Sequence, residues 1–160
     1  MKKNLFLAGV LGMVLLMGTI ECRAATWVKN EVDVPNKSVE SNYYDSSSVK
    51  VIHKTLNWTE KFTLTAFGIK NYNRHLSQYP VCQQNILKKG EVTYHQVDLQ
   101  IKAGKFRQVA KRNYNKAHEL ICTDADMGKE FDKSWRDIEY GSPIYERNYL
   151  LTTKYKLGEF

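Results

Sequence analysis

Apolar and polar side chains alternate along the stretch WTEKFTLTAFGI, residues 58–69. One face of this stretch carries Trp58, Phe62, Leu64 and Ala66, and the other carries Thr59, Lys61, Thr63 and Thr65. Glu60 interrupts the apolar face near its start. A period of two is typical of a strand with one buried face and one wet face, as in antiparallel sheets. The pattern therefore predicts a strand along this whole stretch.

A second alternating region predicts a β-hairpin. The stretch VTYHQVDLQI places four side chains on one face, those of His95, Val97, Leu99 and Ile101. Ala103 and Gly104 follow, and glycine readily adopts the positive φ that a tight hairpin turn needs. KFRQVAKRNY is predicted to be the second strand of the hairpin, and AHELICT is interpreted as a third strand of this meander. Shorter strands are predicted in TWVKNEVDV and NYYDSSSVKVI, the second of them bent at the polar corner 45–48.

The alternation stops over residues 71–89, where Asn, Gln and Leu are frequent. We expect a loop here, followed by a short helix over residues 80–89. Pro80 suits the first turn of a helix, and Gly90 suits its end.

A last helix is predicted from Ser142 onward. A serine followed by Pro143 is typical of a helix N-cap with proline at the first helical position. Ile144, Leu151 and Tyr155 recur at helical spacing and form one apolar face. The order of elements predicts an α+β fold: a twisted antiparallel sheet of about five to six strands with a C-terminal helix packed on it.

The first 24 residues have the pattern of a signal peptide. Two lysines precede the uncharged apolar run Leu5–Ile20, and Cys22-Arg23-Ala24 is a small-x-small pattern suited to signal peptidase. We expect cleavage after Ala24 and a single domain over residues 25–160. The mature chain is then expected in the periplasm or on the outer-membrane surface of a bacterium.

Two alternatives to cleavage stay open. The apolar run is long for a signal peptide, so an uncleaved N-terminal anchor is the first of them. Lipidation of Cys22 is the second, and Glu21 disfavours it because lipoprotein signals carry a small residue at that place.

Cys82 and Cys122 are the two cysteines that would remain after cleavage. An even number of cysteines in an exported protein favours a disulfide between them, and two separate buried thiols are the alternative.

The charge of the chain points to an acidic partner. The full sequence contains 24 Lys and Arg against 17 Asp and Glu, a formal net charge of +7. Four cations cluster around the predicted hairpin and its return strand, namely Lys102, Lys105, Arg107 and Lys111, with Arg112 nearby. We expect Lys105, Arg107 and Lys111 to project from one face and call the four residues the basic rib. The rib is a candidate contact for phosphate, sulfate or carboxylate groups, and an ordinary solvated strand face is the alternative.

Residues for catalysis or for metal binding are not grouped in the sequence. Ser142 lacks the Gly-x-Ser-x-Gly setting of a hydrolase nucleophile, and the proline after it removes a backbone N–H that an oxyanion hole would use. None of the four histidines stands at zinc-site spacing from another ligand, and Asp124-Ala125-Asp126 lacks the later ligands of a calcium loop. We therefore expect no enzyme activity, no cofactor and no metal. Nucleic-acid motifs are also missing from the sequence.

Three segments carry a resemblance to a known family. TWVKN opens the mature domain, YYDSSSVK forms an aromatic–Asp–x–x–Ser–aliphatic corner, and SWRDIEYGSPIYE precedes the final helix. Over residues 27–155 the chain resembles the surface-adhesin protein E family of small exported bacterial proteins. The resemblance implies an antiparallel sheet with a helix packed on it, and binding to host matrix or plasma proteins. It transfers no binding residue to this sequence, and the poor lipidation signal and Tyr140 depart from the family pattern.

The sequence thus predicts an exported, non-enzymatic, adhesin-like protein that binds a protein partner or an acidic polymer. The alternative is a periplasmic protein–protein interaction module or hydrolase inhibitor. An inhibitor of a basic lysozyme would be expected to be acidic, so the positive charge argues against that target.

Overall fold

The computed structural model describes residues 24–30 and 36–158, without the side chains of residues 129 and 130. The predicted signal peptide, including Cys22, lies outside the described residues except for Ala24. The strands are β1 (Trp27–Lys29), β2 (Val39–Asp45), β3 (Lys50–Ile52), β4 (Thr55–Leu64), β5 (Val92–Lys102), β6 (Lys105–Asn115), β7 (Leu120–Thr123) and β8 (Arg136–Asp137). The helices are α1 (Ala66–Leu76), α2 (Pro80–Lys89) and α3 (Pro143–Tyr155), and a 3₁₀ segment spans Ala125–Glu130.

The strands form one open antiparallel sheet in the order β1-β2-β4-β5-β6-β7. The short strands β3 and β8 pair with β4 and β6. The predicted α+β fold is confirmed, with an antiparallel sheet and a C-terminal helix. In the described part of the chain, no helix is both long and apolar enough to cross a membrane.

The three helices cover one face of the sheet. The core beneath α3 contains Tyr44, Leu56, Trp58, Val97, Leu99, Ile101 and Leu151. The core beneath α1 and α2 contains Leu64, Leu76, Cys82, Val92, Ile121, Cys122 and Met127. Cys82 and Cys122 form a disulfide between α2 and β7, with their Cα atoms 5.3 Å apart. The pair predicted from the cysteine count is therefore present.

The predicted strand over residues 58–69 is too long at its C-terminal end. β4 ends at Leu64, and α1 begins at Ala66 in the region expected to be strand and then loop. The Thr65 side chain caps α1 by accepting a hydrogen bond of 3.0 Å from the Gly68 amide. Gly68 is required because a Cβ atom there would collide with the carbonyl oxygen of Ser38. The alternation through residues 66–69 was coincidental.

Glu60, the residue that interrupts the apolar face, belongs to the buried face after all. Its carboxylate accepts hydrogen bonds from Arg147 Nε at 2.8 Å, Trp58 Nε1 at 2.9 Å and Asn42 Nδ2 at 3.0 Å. Glu60 and Arg147 are 4 % and 2 % exposed. This ion pair joins α3 to the centre of the sheet, because Arg147 belongs to α3 and Glu60 to β4. Arg147 lies one turn from each of Ile144 and Leu151, so it is on the side of α3 that faces the core.

Strand β6 contains a β-bulge at Val109. Asp98 pairs with Ala110, whereas the next residue, Leu99, pairs with Gln108, so Val109 is the extra residue. An extra residue reverses the alternation of all side chains on one side of it. Before Val109, the even-numbered residues of β6 face the helices. After it, the odd-numbered residues do.

His95 is buried in the covered face between the rings of Phe62 and Tyr72, whose centres lie 5.1 and 5.4 Å away. Burial, and to a smaller extent the charge of Lys111, hold the pKa of His95 well below its usual value of 6.5. The imidazole is therefore neutral in the folded protein near neutral pH.

We expect this histidine to make the fold sensitive to mild acid. Below pH 6.5 the unfolded chain binds a proton at His95 that the folded chain does not bind, so stability falls as the pH is lowered. The slope for one such proton is about 1.4 kcal/mol per pH unit. Urea unfolding of the wild type and of His95→Phe between pH 7 and pH 5 measures it. Parallel pH profiles of the two proteins would contradict the assignment.

Candidate functional site

The face of the sheet opposite the helices, which we call the open face, is the candidate functional site. On the three central strands it comprises Thr55, Asn57, Thr59, Lys61, Thr63, Tyr94, Gln96, Asp98, Gln100, Lys102, Lys105, Arg107, Ala110, Arg112 and Tyr114. Five of these side chains are cationic and one is a carboxylate. The open face of β4, β5 and β6 is therefore strongly positive.

Three members of the predicted basic rib lie on this face. Lys102 pairs with Lys105 at the hairpin end, and Arg107 pairs with Gln100. The Lys105 ammonium lies 3.2 Å from the Asp137 carboxylate, a pair that is largely exposed and so contributes little to stability.

The fourth member of the rib, Lys111, lies on the covered face. Its ammonium nitrogen is 4.8 Å from the centre of the Tyr72 ring in α1. The prediction that Lys111 shares a face with Lys105 and Arg107 is wrong, because the bulge at Val109 reverses the alternation between them. Arg112, one residue later, takes the place on the open face.

A polar network holds the middle of the open face in place. Arg112 donates hydrogen bonds of 2.7 and 2.6 Å to the two carboxylate oxygens of Asp98. Thr59 Oγ1 donates to Asp98 at 2.8 Å. The hydrogen bond that Arg112 donates to Asp98 raises the pKa of Arg112 above its ordinary value. Such a bidentate pair keeps Arg112 rigid and partly neutralised.

Beside it, Arg107 is presented on an aromatic ring. The guanidinium carbon lies 4.6 Å from the centre of the Trp135 ring. Arg107 Nε donates to Gln100 at 2.8 Å, and Gln100 Nε2 donates to Asn57 at 2.7 Å. Stacking and a single side-chain bond leave the terminal guanidinium nitrogens available for a ligand. A shallow cavity of about 270 Å³, lined by Asn57, Asp98 and Gln100 among others, adjoins this network.

Aromatic side chains surround Lys61 at the other end of the open face. The ammonium nitrogen lies 4.7 Å from the ring centre of Trp27, 4.8 Å from that of Tyr43 and 6.0 Å from that of Tyr94. Burial lowers the pKa of Lys61. The Tyr94 ring stacks on Tyr114 at 5.1 Å. Burial, and then the charge of Tyr114, raise the pKa of Tyr94.

This aromatic group was missed in the sequence. The alternation around residue 61 correctly placed Lys61 on the wet face. Nothing in the sequence gives the register Tyr43↔Lys61 and Lys29↔Tyr43 that brings three strands together here. Only the strand pairing shows that one cation lies among three rings.

Ser142 acts as the predicted helix cap. Its Oγ accepts a hydrogen bond of 3.3 Å from the Tyr145 amide and donates one of 2.6 Å to the Glu139 carbonyl oxygen. Within residues 24–30 and 36–158, His, Cys, Asp and Glu side chains form no group of three or more arranged to hold a metal ion.

No protein-family model and no curated protein matches the chain. The resemblance to the surface-adhesin protein E family therefore stays a prediction.

Proposed function

We propose that the chain is an exported, non-enzymatic binding protein whose open face holds an acidic polysaccharide. The observation that carries this proposal is the excess of five cations over one carboxylate on the open face of β4, β5 and β6. A surface of one sign attracts ligands of the opposite sign and raises their local concentration.

The chemistry of the open face favours a sulfated or carboxylated glycan over an acidic protein. Flat, polar side chains such as Asn57, Gln100 and Arg107 line its centre and offer the mixed donors and acceptors that sugar hydroxyls need. Trp135 and the rings around Lys61 offer apolar surfaces beside the cations.

Export is part of the same proposal. Disulfides form in oxidising compartments and are rare in the cytosol, so the Cys82–Cys122 bridge supports a periplasmic or surface location. The signal-peptide pattern over residues 1–24 supports it as well.

Charge reversal tests the binding face. We expect the triple variant Lys102→Glu, Lys105→Glu and Arg107→Glu to bind heparin at least about tenfold more weakly, the equivalent of 1.4 kcal/mol. Binding is measured by calorimetry at several salt concentrations, because screening weakens contacts between exposed charges. The wild type should lose affinity with salt more steeply than the variant.

The matched control reverses two lysines and one arginine elsewhere. Lys70, Arg74 and Lys88 are exposed on α1 and α2, on the covered side of the sheet. Their triple replacement by Glu changes the net charge equally and should keep most of the affinity. If both triple variants lose the same affinity, only net charge matters and the open face is not the site.

A further inference from the structure

A cavity on the covered side of the sheet carries an unneutralised lysine. The cavity has a volume of about 340 Å³ and is lined in part by Lys111, Arg136, Asp132, His75, Met127 and Phe131. Its lining residues come from the end of α1, from β6, from the 3₁₀ segment and from the residues that lead into β8. A volume of this size is that of a small-molecule site.

The ammonium group of Lys111 has no acidic partner in the described part of the chain. Among the residues that the structure describes, none accepts a hydrogen bond from Lys111 Nζ or forms an ion pair with it. Its nearest aromatic neighbour, Tyr72, donates its hydroxyl to Asn113 Oδ1 at 2.7 Å, so the tyrosine is neutral and engaged elsewhere. Burial raises the pKa of Tyr72 and lowers that of Lys111 to about 8.

The other charged groups around Lys111 do not compensate for it. His95 is buried and neutral. Asp124 accepts the backbone N–H of Lys111 at 3.3 Å, but its carboxylate is bound by Lys133 at 2.6 Å. That hydrogen bond with Lys133 helps to lower the pKa of Asp124 against the opposing effect of burial. Among the described residues, no carboxylate therefore pairs with the charge that Lys111 carries at pH 7.

Arg136 adds a second cation to the same cavity. Its guanidinium lies 5.4 Å from the centre of the Phe106 ring, and its Nε is 4.0 Å from the Asp132 carboxylate. Asp132 is largely exposed, so this contact is weak and screened. The lining thus brings Lys111 and Arg136 together with the exposed Asp132 carboxylate and His75, beside an apolar wall of Met127 and Phe131.

We propose that this cavity is a binding site for a small organic anion, whose charged group lies between Lys111 and Arg136 and whose apolar body packs on Met127 and Phe131. The site is separate from the open face, because Lys111 lies on the opposite side of the sheet from Lys102, Lys105 and Arg107. An anionic group supplies the counter-charge that Lys111 lacks, and the partial burial of the ammonium strengthens that attraction.

Benzoate and phenyl phosphate are the probes that test the site. Each is titrated into ¹⁵N-labelled protein, and amide shifts of residues lining the cavity report binding. We expect Lys111→Met, which keeps the length of the side chain, to weaken binding at least about tenfold. Lys70→Met removes an exposed lysine of α1 that belongs to neither proposed site and should leave the affinity unchanged. The two probes show whether a carboxylate or a phosphate is preferred.

A direct readout comes from the lysine itself. The ¹³Cε signal of Lys111 follows its protonation, and saturation with the better probe should raise its pKa, because a nearby anion favours the charged amine. This shift does not depend on the stability of any variant. Benzyl alcohol is the neutral control.

The proposal is overturned if neither probe binds at concentrations up to about 10 mM, because a dissociation constant above that value is too weak for a specific site. It is also overturned if benzyl alcohol binds as tightly as benzoate, or if the pKa of Lys111 does not move. Heparin binding is measured separately, so failure here leaves the open-face proposal standing.

Discussion

The variant Arg147→Met is expected to lower the free energy of unfolding by about 3–5 kcal/mol. It leaves the Glu60 carboxylate in the core with hydrogen bonds from Trp58 and Asn42 but without a cation. Burying an unpaired charge costs more than the pair contributes when it is complete. Urea unfolding followed by tryptophan fluorescence measures the loss.

Two further variants show whether the charge is responsible. Arg74→Met removes an exposed arginine from α1 and should change stability by no more than about 0.5 kcal/mol. The double variant Glu60→Gln with Arg147→Met should recover part of the loss, since no charge then stays buried. A single variant that is no less stable than Arg74→Met would show that the ion pair does not anchor α3.

Removing the disulfide is expected to have the second large effect. Replacing both Cys82 and Cys122 by Ala should lower the free energy of unfolding by about 2–5 kcal/mol, because the unfolded chain gains freedom when the bridge is lost. The two cysteines are 40 residues apart in sequence and almost fully buried. Urea unfolding of this variant and of the wild type is the measurement.

The wild type in reducing buffer is the control for this prediction. Its unfolding midpoint should move toward that of the Ala variant, and the oxidised wild type should stay apart from both. Coincident midpoints for the oxidised and reduced wild type would mean that the bridge is either not formed in solution or without effect on stability.

The hairpin and the last helix could be predicted from the sequence because local signals determine them. Ala103 and Gly104 both adopt positive φ, 50° and 72°, as a tight turn between twisted strands requires. Ser142 caps α3 and Pro143 occupies its first turn. The predicted helix over residues 80–89 also matches α2. In each case the residues that decide the structure are neighbours in the chain.

Helix α1 and the buried role of Glu60 could not be predicted because tertiary contacts decide them. Leu64 and Ala66 continue an alternating pattern, and only the contact of Gly68 with Ser38 shows that the chain turns at Thr65. The sequence gives no reason for a glutamate on an apolar face, because the partner of Glu60, Arg147, stands 87 residues later.

The same distinction applies to the candidate site. The positive charge of the hairpin region was visible in the sequence, whereas its division between two faces was not, because an extra residue in a strand leaves no clear local signal. The rings around Lys61 come from β1, β2 and β5, and only the register of the sheet brings them together.

The single extra residue Val109 has a consequence for how this surface can change over evolutionary time. A chain that lost it would keep every cation, yet one half of β6 would have to rotate by half a turn about its axis. Either Lys105 and Arg107 would be driven beneath the helices, or Lys111 would emerge into solvent. Strand length, as well as composition, thus determines which positive groups face outward, and one codon inserted or deleted would move cations from one face of the sheet to the other.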